Sequence, residues 1–594
     1  MIMMLRTFTL GMFLSLIGVA ALADENQRAE ALFETVFEEQ VALSPMYQAR
    51  LGRKTRYGEW NDISPAQEAR YQALYKDQLQ RLSGIDEGQL TSANRLNVRL
   101  LRYELEQSIE AYQWRDHNYP VNQMFGLHAG IPAFLINTHR VESRADAEAY
   151  IERLRGVEPL VDQLIANLER RARKGILAPA FVYLYVLSDS RNLLQGRPFS
   201  TAGEPSPLLA DFTQKMTALA LDDEATTELL SAAEAALKTH LQPAYQRLIA
   251  ALEKLQEQSD ELSGVWKLPD GEAFYQAALR SITTTDLSAD EIHQLGRNEV
   301  ARIHDEMRLI QQQVGFAGEL NGFFVHMRED ERFYFPDTDA GREQYLTLTR
   351  EVIAAMRERL PELFGHLPHA SVEVKAVEPF REKSAGKAFY QAPAADGSRP
   401  GIYYVNLHDM RAMPRYQIEA LAYHEALPGH HMQIAIAQEM DALPAFRRHG
   451  HYTAYIEGWG LYAERVPKEM GFYADPYSDF GRLSMELWRA VRLVVDTGLH
   501  AKQWTREFAI DYFVKNTPMT RADATREVER YIVMPGQATA YKIGMNTFLD
   551  LRERAEQALG EAFDGRDFHD QVLAGGALPL SVLEEELSRW LADQ

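Results

Sequence analysis

Over most of its length this sequence repeats apolar residues at three- and four-residue intervals, and one stretch, 370–407, changes to the texture of β-strands. That contrast confines the chain to a mostly α fold holding a single small sheet. Leu90–Glu110 and Ala147–Lys174 each set an apolar stripe among acidic and basic residues, the pattern of a helix resting on a core. Asp223–His240 repeats it beyond a Pro/Gly-rich loop at Gly196–Pro207. Ser288, with Glu291 three residues on, has the spacing of a capping box and predicts a long helix running to Val314. Ser371–Val377 alternates, Ala388–Ala392 is short and aromatic, and Gly401–Leu407 is β-branched and aromatic. With a turn at Asp396–Pro400, these predict a three-stranded sheet. Beyond Arg415 the helical pattern resumes, broken near Pro476, Pro535-Gly536 and Gly575-Gly576. At 594 residues the chain exceeds what one small core organises. The expected division is an N-terminal helical lobe, 24–265, and a catalytic helical lobe, 266–594, that carries the sheet.

Apolar residues make up 46% and charged residues 25%, which excludes wholesale disorder. A net charge of −22 repels phosphate backbones, so no nucleic-acid partner is expected. There is no cysteine, which excludes disulfides, thiolate metal sites, cysteine nucleophiles and a lipid-bearing N-terminal cysteine. Any metal must rest on histidine and carboxylate. At the start, Arg6 precedes an apolar run from Phe8 to Val19 and a small-x-small site at Ala21-Leu22-Ala23. This reads as a signal peptide over 1–23, cleaved before Asp24. The run is shorter than the roughly 20 apolar residues of a membrane span. The expected product is a periplasmic or secreted protein, not a lipoprotein, with no stable membrane insertion.

Seven of the 17 histidines fall between His408 and His500: His408, His424, His430, His431, His449, His451 and His500. The decisive stretch is His424-Glu-Ala-Leu-Pro-Gly-His-His431. Zinc hydrolases usually present His-Glu-x-x-His, because positions i and i+4 share a helix face and let two imidazoles meet one ion. Here the second histidine comes late. On an unbroken helix His430 would sit about 240° around and about 9 Å along from His424, and His431 about 10.5 Å along. Pro428 disfavours a helical Leu427 and removes a donor, and Gly429 tolerates unusual backbone angles. A bulge between Ala426 and Gly429 would carry His430 to the place of the second ligand. The third ligand is sought in Ala454–Glu464, where Glu457 and Glu464 lie two turns apart on one face. We read Glu457 as the ligand and Glu464 as the acceptor that orients a liganding imidazole. Gly458 and Gly460 would let that helix approach closely.

The phrases HEALPGHH, AYIEGWGLYAERV, ELWRAVRLVVDTGLH and RYIVMPGQATAYKIG resemble the bacterial DUF885 family, over essentially the whole chain beyond Asp24. The resemblance implies a two-lobed, mostly helical zinc-metallopeptidase-like fold with a deep channel. That plan is similar to the thimet-oligopeptidase, angiotensin-converting-enzyme and thermostable-carboxypeptidase groups. By that likeness His424 and His430 match the histidine ligands, Glu425 the base and Glu457 the glutamate ligand. The longer gap after Glu425 departs from those groups and leaves His430 and His431 as alternatives.

The expected activity is a zinc metallopeptidase, carboxypeptidase- or oligopeptidase-like, that cleaves short peptides. Glu425 would take the proton of the attacking water, and Tyr541 would stabilise the oxyanion, with Tyr531 as alternative. Arg489, Lys542 and Arg492 are candidates to hold a substrate carboxylate, and His500 to hydrogen-bond the substrate. His408, His449 and His451 are assigned no role. The Gly401–Leu407 strand is a candidate to receive an extended peptide at its edge. A different class, a non-peptidase zinc amide or ester hydrolase or an inactive zinc-binding protein, is the alternative. No G-x-S-x-G is present, so a serine nucleophile of that kind is not expected.

Overall fold

The computed structural model describes residues 25–378, 382, 386–393, 399–448 and 450–594. The expected signal peptide, most of the turn before Pro400, and His449 lie outside the described residues. The chain divides into two compact units: one reaches Leu262 and takes in Lys267–Pro269, the other comprises Ser263–Trp266 and Asp270–Gln594.

The first unit is built of helices whose starts follow from local chemistry. Ser64, Thr91 and Ser143 each accept a hydrogen bond from a backbone N–H in the first turn of Pro65–Leu82, Ser92–Ala111 and Arg144–Arg173. Such caps contribute about 1 kcal/mol each. The inward stripe of Ser92–Ala111 is Val98, Leu100, Leu101 and Leu105, all buried. Asp223–Ala236 does not stop at His240: a single π turn, Leu237–Leu241, carries it into Gln242–Gln256. Gln242–Gln256 packs along Arg144–Arg173.

In the second unit the helices that position the histidine segment and its surroundings are α1 (Ala289–Gln313), α2 (Ile418–Glu425), α3 (His430–Glu439), α4 (Thr453–Glu469), α5 (Pro476–Ala501), α6 (Arg521–Val533) and α7 (Ala540–Leu559). The capping box at Ser288 and Glu291 is formed, and α1 ends one residue before the expected Val314. Pro476 occupies the first position of α5, where its missing N–H costs nothing, and Asp475 caps it. From Ser478 to His500 nearly every residue of α5 is buried, so this helix is the axis of the unit. Helix α1 lies along α5, and α4 lies along α7. Each Leu, Val or Phe sealed between them adds roughly 1.5–3 kcal/mol of transfer free energy.

The sheet has β1 (Val372–Ala376), β2 (Ala388–Gln391) and β3 (Gly401–Val405) in the order β1-β3-β2. Strand β3 pairs parallel with β1, Val374 opposite Tyr403, and antiparallel with β2, Tyr390 opposite the same Tyr403. Phe389 stacks on Tyr404 across that second pair, ring centroids 4.9 Å apart. Strand β3 is therefore the middle strand and is buried throughout. That corrects the expectation that it could take a peptide at its edge, since both its edges are already paired. Among the described residues no helix is long and apolar enough to cross a membrane.

Candidate metal centre

The histidine segment is two helices, not one bulged helix. Helix α2 stops at Glu425, Ala426 leaves helical space at φ −108° and ψ −99°, and α3 begins at His430. The Leu427–Pro428 peptide is cis. Trp459 of α4 donates its indole N–H to the Pro428 carbonyl at 2.9 Å, tying the break to the neighbouring helix. Gly429 sits at φ −79° and ψ −131°, not at the positive φ that most often calls for glycine. The demand is space: a β-carbon there would overlap the carbonyl oxygens of Tyr423 and His424. The chain folds back on the end of α2, and the rings of His424 and His430 come to 4.6 Å, nearly perpendicular.

Helix α4 brings the carboxylate. Glu457 Oε2 lies 3.5 Å from His424 Nε2 and 3.5 Å from His430 Nε2. One donor atom from each of the three residues falls within 4.8 Å of the other two. Gly460, one turn further along α4, lets both rings in; a β-carbon there would stand 2.7 Å from His424 Cε1 and 3.0 Å from His430 Cε1. Behind the group, Glu464 Oε1 accepts from His424 Nδ1 at 2.8 Å, and both side chains are almost fully buried. That bond leaves His424 Nε2 free to act as a donor toward the centre. Two imidazoles and a carboxylate, one imidazole fixed by a buried acid, form a donor set that suits zinc.

The electrostatics arise from the same contacts. Burial works against a charged His424, yet Glu457 and Glu464 outweigh it and hold the imidazole at about 10. Burial would likewise raise Glu457, but hydrogen bonds from His424 and His430 take its carboxyl well below the usual range. A divalent cation bound among these groups would take the place of the imidazole protons as the charge facing Glu457. Glu425 differs. It is buried, and desolvation pushes its carboxyl up, against the opposing pull of His424 and His430.

The remaining expected site residues divide between this centre and the packing around it. His431 faces away from the centre: its Nδ1 meets the Tyr390 hydroxyl at 2.9 Å and its Nε2 the Ala370 carbonyl at 3.0 Å. It ties α3 to the sheet, and burial lowers its pKa to about 4. Lys542 points into the interior, 2.6 Å from Glu486 and 2.9 Å from Glu299, so its charge is already neutralised and it does not await a substrate. His500 is also spoken for, since Val265 N–H donates to its Nδ1 and its Nε2 bonds the Tyr531 carbonyl. Both are corrections to the expected substrate-binding set. Tyr531 donates its hydroxyl to Glu527 at 2.6 Å and accepts from Arg492 at 3.0 Å. Tyr541 lies with its ring 4.5 Å from the Arg492 guanidinium and 5.7 Å from that of Arg489. Arg489 in turn lies 3.8 Å from Glu464, the acid behind His424. His408 makes a contact with Glu382 at 3.1 Å.

Two further residues with displaced pKa values carry no role in the sequence reading. His451, partly open to solvent, lies within electrostatic reach of Glu457 and His430. Its position just before α4 was the available signal. Lys387 donates to Gln417 at 2.7 Å, and burial pushes its ammonium down to about 8, with Arg489 adding to the effect. A lone lysine before a short strand carries no such signal.

The fold has solved relatives. A candidate lipoprotein of Colwellia psychrerythraea has a crystal structure that superposes with a TM-score of 0.90 at 32% identity, covering 96% of this chain and 100% of that one. A candidate lipoprotein of unknown function from Shewanella oneidensis shares the fold at 18% identity and a TM-score of 0.73, over 93% of this chain and 98% of that one. Both are described as lipoproteins, whereas this sequence has no cysteine to carry a thioether-linked lipid. No curated protein matches. The model of DUF885, bacterial proteins of unknown function, spans residues 45–587, and the chain belongs to that family.

Proposed function

We propose that the protein is an extracytoplasmic zinc hydrolase, a metallopeptidase acting on short peptides. The observation that carries this reading is the convergence of His424, His430 and Glu457, with His424 braced by Glu464. When bound there, zinc would supply a Lewis acid and lower the pKa of a water to about 7. Glu425, the residue after the first histidine, takes the proton of the attacking water and returns it to the leaving nitrogen. Its burial supports that task, because a carboxyl raised from its usual range is a stronger base near neutrality. Tyr541 is the donor to the developing oxyanion, because the Tyr531 hydroxyl is already given to Glu527. The apolar start of the sequence and the lipoprotein description of both solved relatives support the extracytoplasmic placement.

Two measurements test the reading. Metal analysis of the pure protein should give one zinc per chain, and digestion of a mixed peptide library, followed by mass spectrometry, should give defined cleavage products. A zinc-loaded protein that cleaves no peptide across a diverse library would sink the peptidase reading. His431→Ala should keep zinc at full stoichiometry, since both ring nitrogens face the sheet side. Loss of zinc in that variant, with retention in His430→Ala, would reverse the ligand assignment. Glu464→Gln should weaken zinc by about 10–100-fold in a chelator competition without unfolding the chain. Unchanged affinity would remove Glu464 from the site.

A further inference from the structure

Helices α5 and α6 gather three guanidinium groups next to this centre, and their hydrogen bonding is incomplete. Arg489 and Arg492, one turn apart on α5, are 5% and 2% exposed. Each lies 4.5 Å from the ring of Trp488, and both flank Tyr541. Arg530 of α6 reaches the Tyr541 hydroxyl at 3.5 Å and Gln537 at 2.8 Å. Some of the donors are used. Arg492 is tied to Glu527 at 2.9 Å and to the Tyr531 hydroxyl, and Arg489 Nη1 donates to the Met485 carbonyl at 3.2 Å.

Others are not. Arg489 Nε, Arg492 Nη1 and Arg530 Nε are sealed from solvent and have no hydrogen-bond partner. A buried donor without an acceptor is expensive, and a buried charge more so. The neighbouring acids do not cover the deficit. Glu527 faces Arg492 and lies close to Arg530, and Glu464 is shared between Arg489 and His424. Three guanidinium groups thus meet Glu527, Glu464, which His424 also engages, and at longer range Glu425, and three of their N–H donors still lack an acceptor. Arginine forks match carboxylates in two-point contacts.

The place of these unused donors gives them a use. A single oxygen, Glu464 Oε1, stands between Arg489 and His424. Arg489 is also among the charges acting on Glu425. Through that oxygen the Arg489 guanidinium lies no more than about 7 Å from His424 Nδ1, the span of about two extended residues at about 3.5 Å each.

We propose that Arg489, Arg492 and Arg530, gathered around Tyr541, form a carboxylate subsite that holds the free C-terminal carboxylate of the peptide. The protein then removes one or two residues from a C-terminus and does not cut internally. This rests on the hydrolase reading and deepens it. An acidic side chain at the same distance presents the same chemistry and is the other source of the carboxylate.

The test compares three matched peptides on the zinc-loaded full chain: a neutral sequence with a free C-terminal acid, its C-terminal amide, and the amide with glutamate as last residue. The acid should exceed the neutral amide by about a hundred-fold in kcat/KM, the scale of losing two charge-assisted hydrogen bonds. Recovery in the glutamate amide would assign the subsite to side-chain carboxylates as well. Arg530→Gln should raise KM for the acid and shrink the acid-to-amide ratio. Calorimetric titration with an N-acetyl dipeptide acid and its amide gives a readout without turnover, and only the acid should bind measurably. Equal kcat/KM for acid and amide, or equal binding, overturns the subsite while the hydrolase reading stands. Selective binding of the acid with no cleavage of any peptide keeps the subsite and removes the hydrolase.

Discussion

Glu425→Gln should hold a full complement of zinc, keep its thermal midpoint, and lose peptide turnover by about 10²- to 10⁴-fold. Position gives the reason. Glu425 is the last residue of α2, and it is not one of the three donors that converge. It is buried beside both imidazoles, and desolvation raises its carboxyl. Glutamine keeps the volume and the hydrogen-bonding reach but cannot take up a proton. General base catalysis of this kind supplies roughly 3–5 kcal/mol of barrier lowering. A neutral amide also escapes the desolvation cost of a buried carboxylate, so the folded state should not suffer. The zinc content separates this variant from a ligand replacement, which would remove metal and activity together. A zinc-loaded Glu425→Gln that turns over peptide within a few-fold of the wild type would take the base role away from this residue.

What could be read before the fold was known was whatever depends on short-range rules. The capping box at Ser288, the start of α5 at Pro476 and the three strands all depend on neighbours within a few positions. The departure from His-Glu-x-x-His was legible too, because helix geometry alone forbids His424 and His430 from meeting on one unbroken helix. The remedy was only half legible. The expected bulge is a full break in which glycine supplies space, a property of what folds against Gly429 from the end of α2. Lys542 and His500 were misjudged for a related reason. Both sit on helices in a motif-rich stretch, but Lys542 is claimed by Glu486 and Glu299, and His500 by Val265 and Tyr531. Those partners are far away in sequence, on other elements, and no local pattern reveals them. The middle position of β3 was hidden likewise, because strand order depends on a crossover and not on strand composition.

Gly460→Ala should abolish stoichiometric zinc, and with it hydrolysis, in a chain that still folds. Two effects of one methyl group oppose each other here. Alanine inside α4 favours the helix by up to about 1 kcal/mol relative to glycine. The same β-carbon would stand 2.7 Å from His424 Cε1, 2.9 Å from His424 Nε2 and 3.0 Å from His430 Cε1. Neither ring is free to retreat far. His424 is held from behind by Glu464, and His430 starts α3 against a loop that Trp459 pins at Pro428. The conflict falls on the donor atoms themselves, so it should be expressed as lost metal affinity. Disturbing the groups that merely orient a ligand costs about 10–100-fold, and displacing two ligands should cost more. Gly130→Ala provides the control, since at that helical glycine the added carbon meets nothing within 4 Å beyond the adjoining backbone of its own helix. It should stabilise the chain slightly and leave zinc unchanged. Competition against a chelator, together with a melting curve, reads both variants. If Gly460→Ala binds zinc as tightly as the wild type, the ion is not held by His424, His430 and Glu457 as they are arranged around this helix.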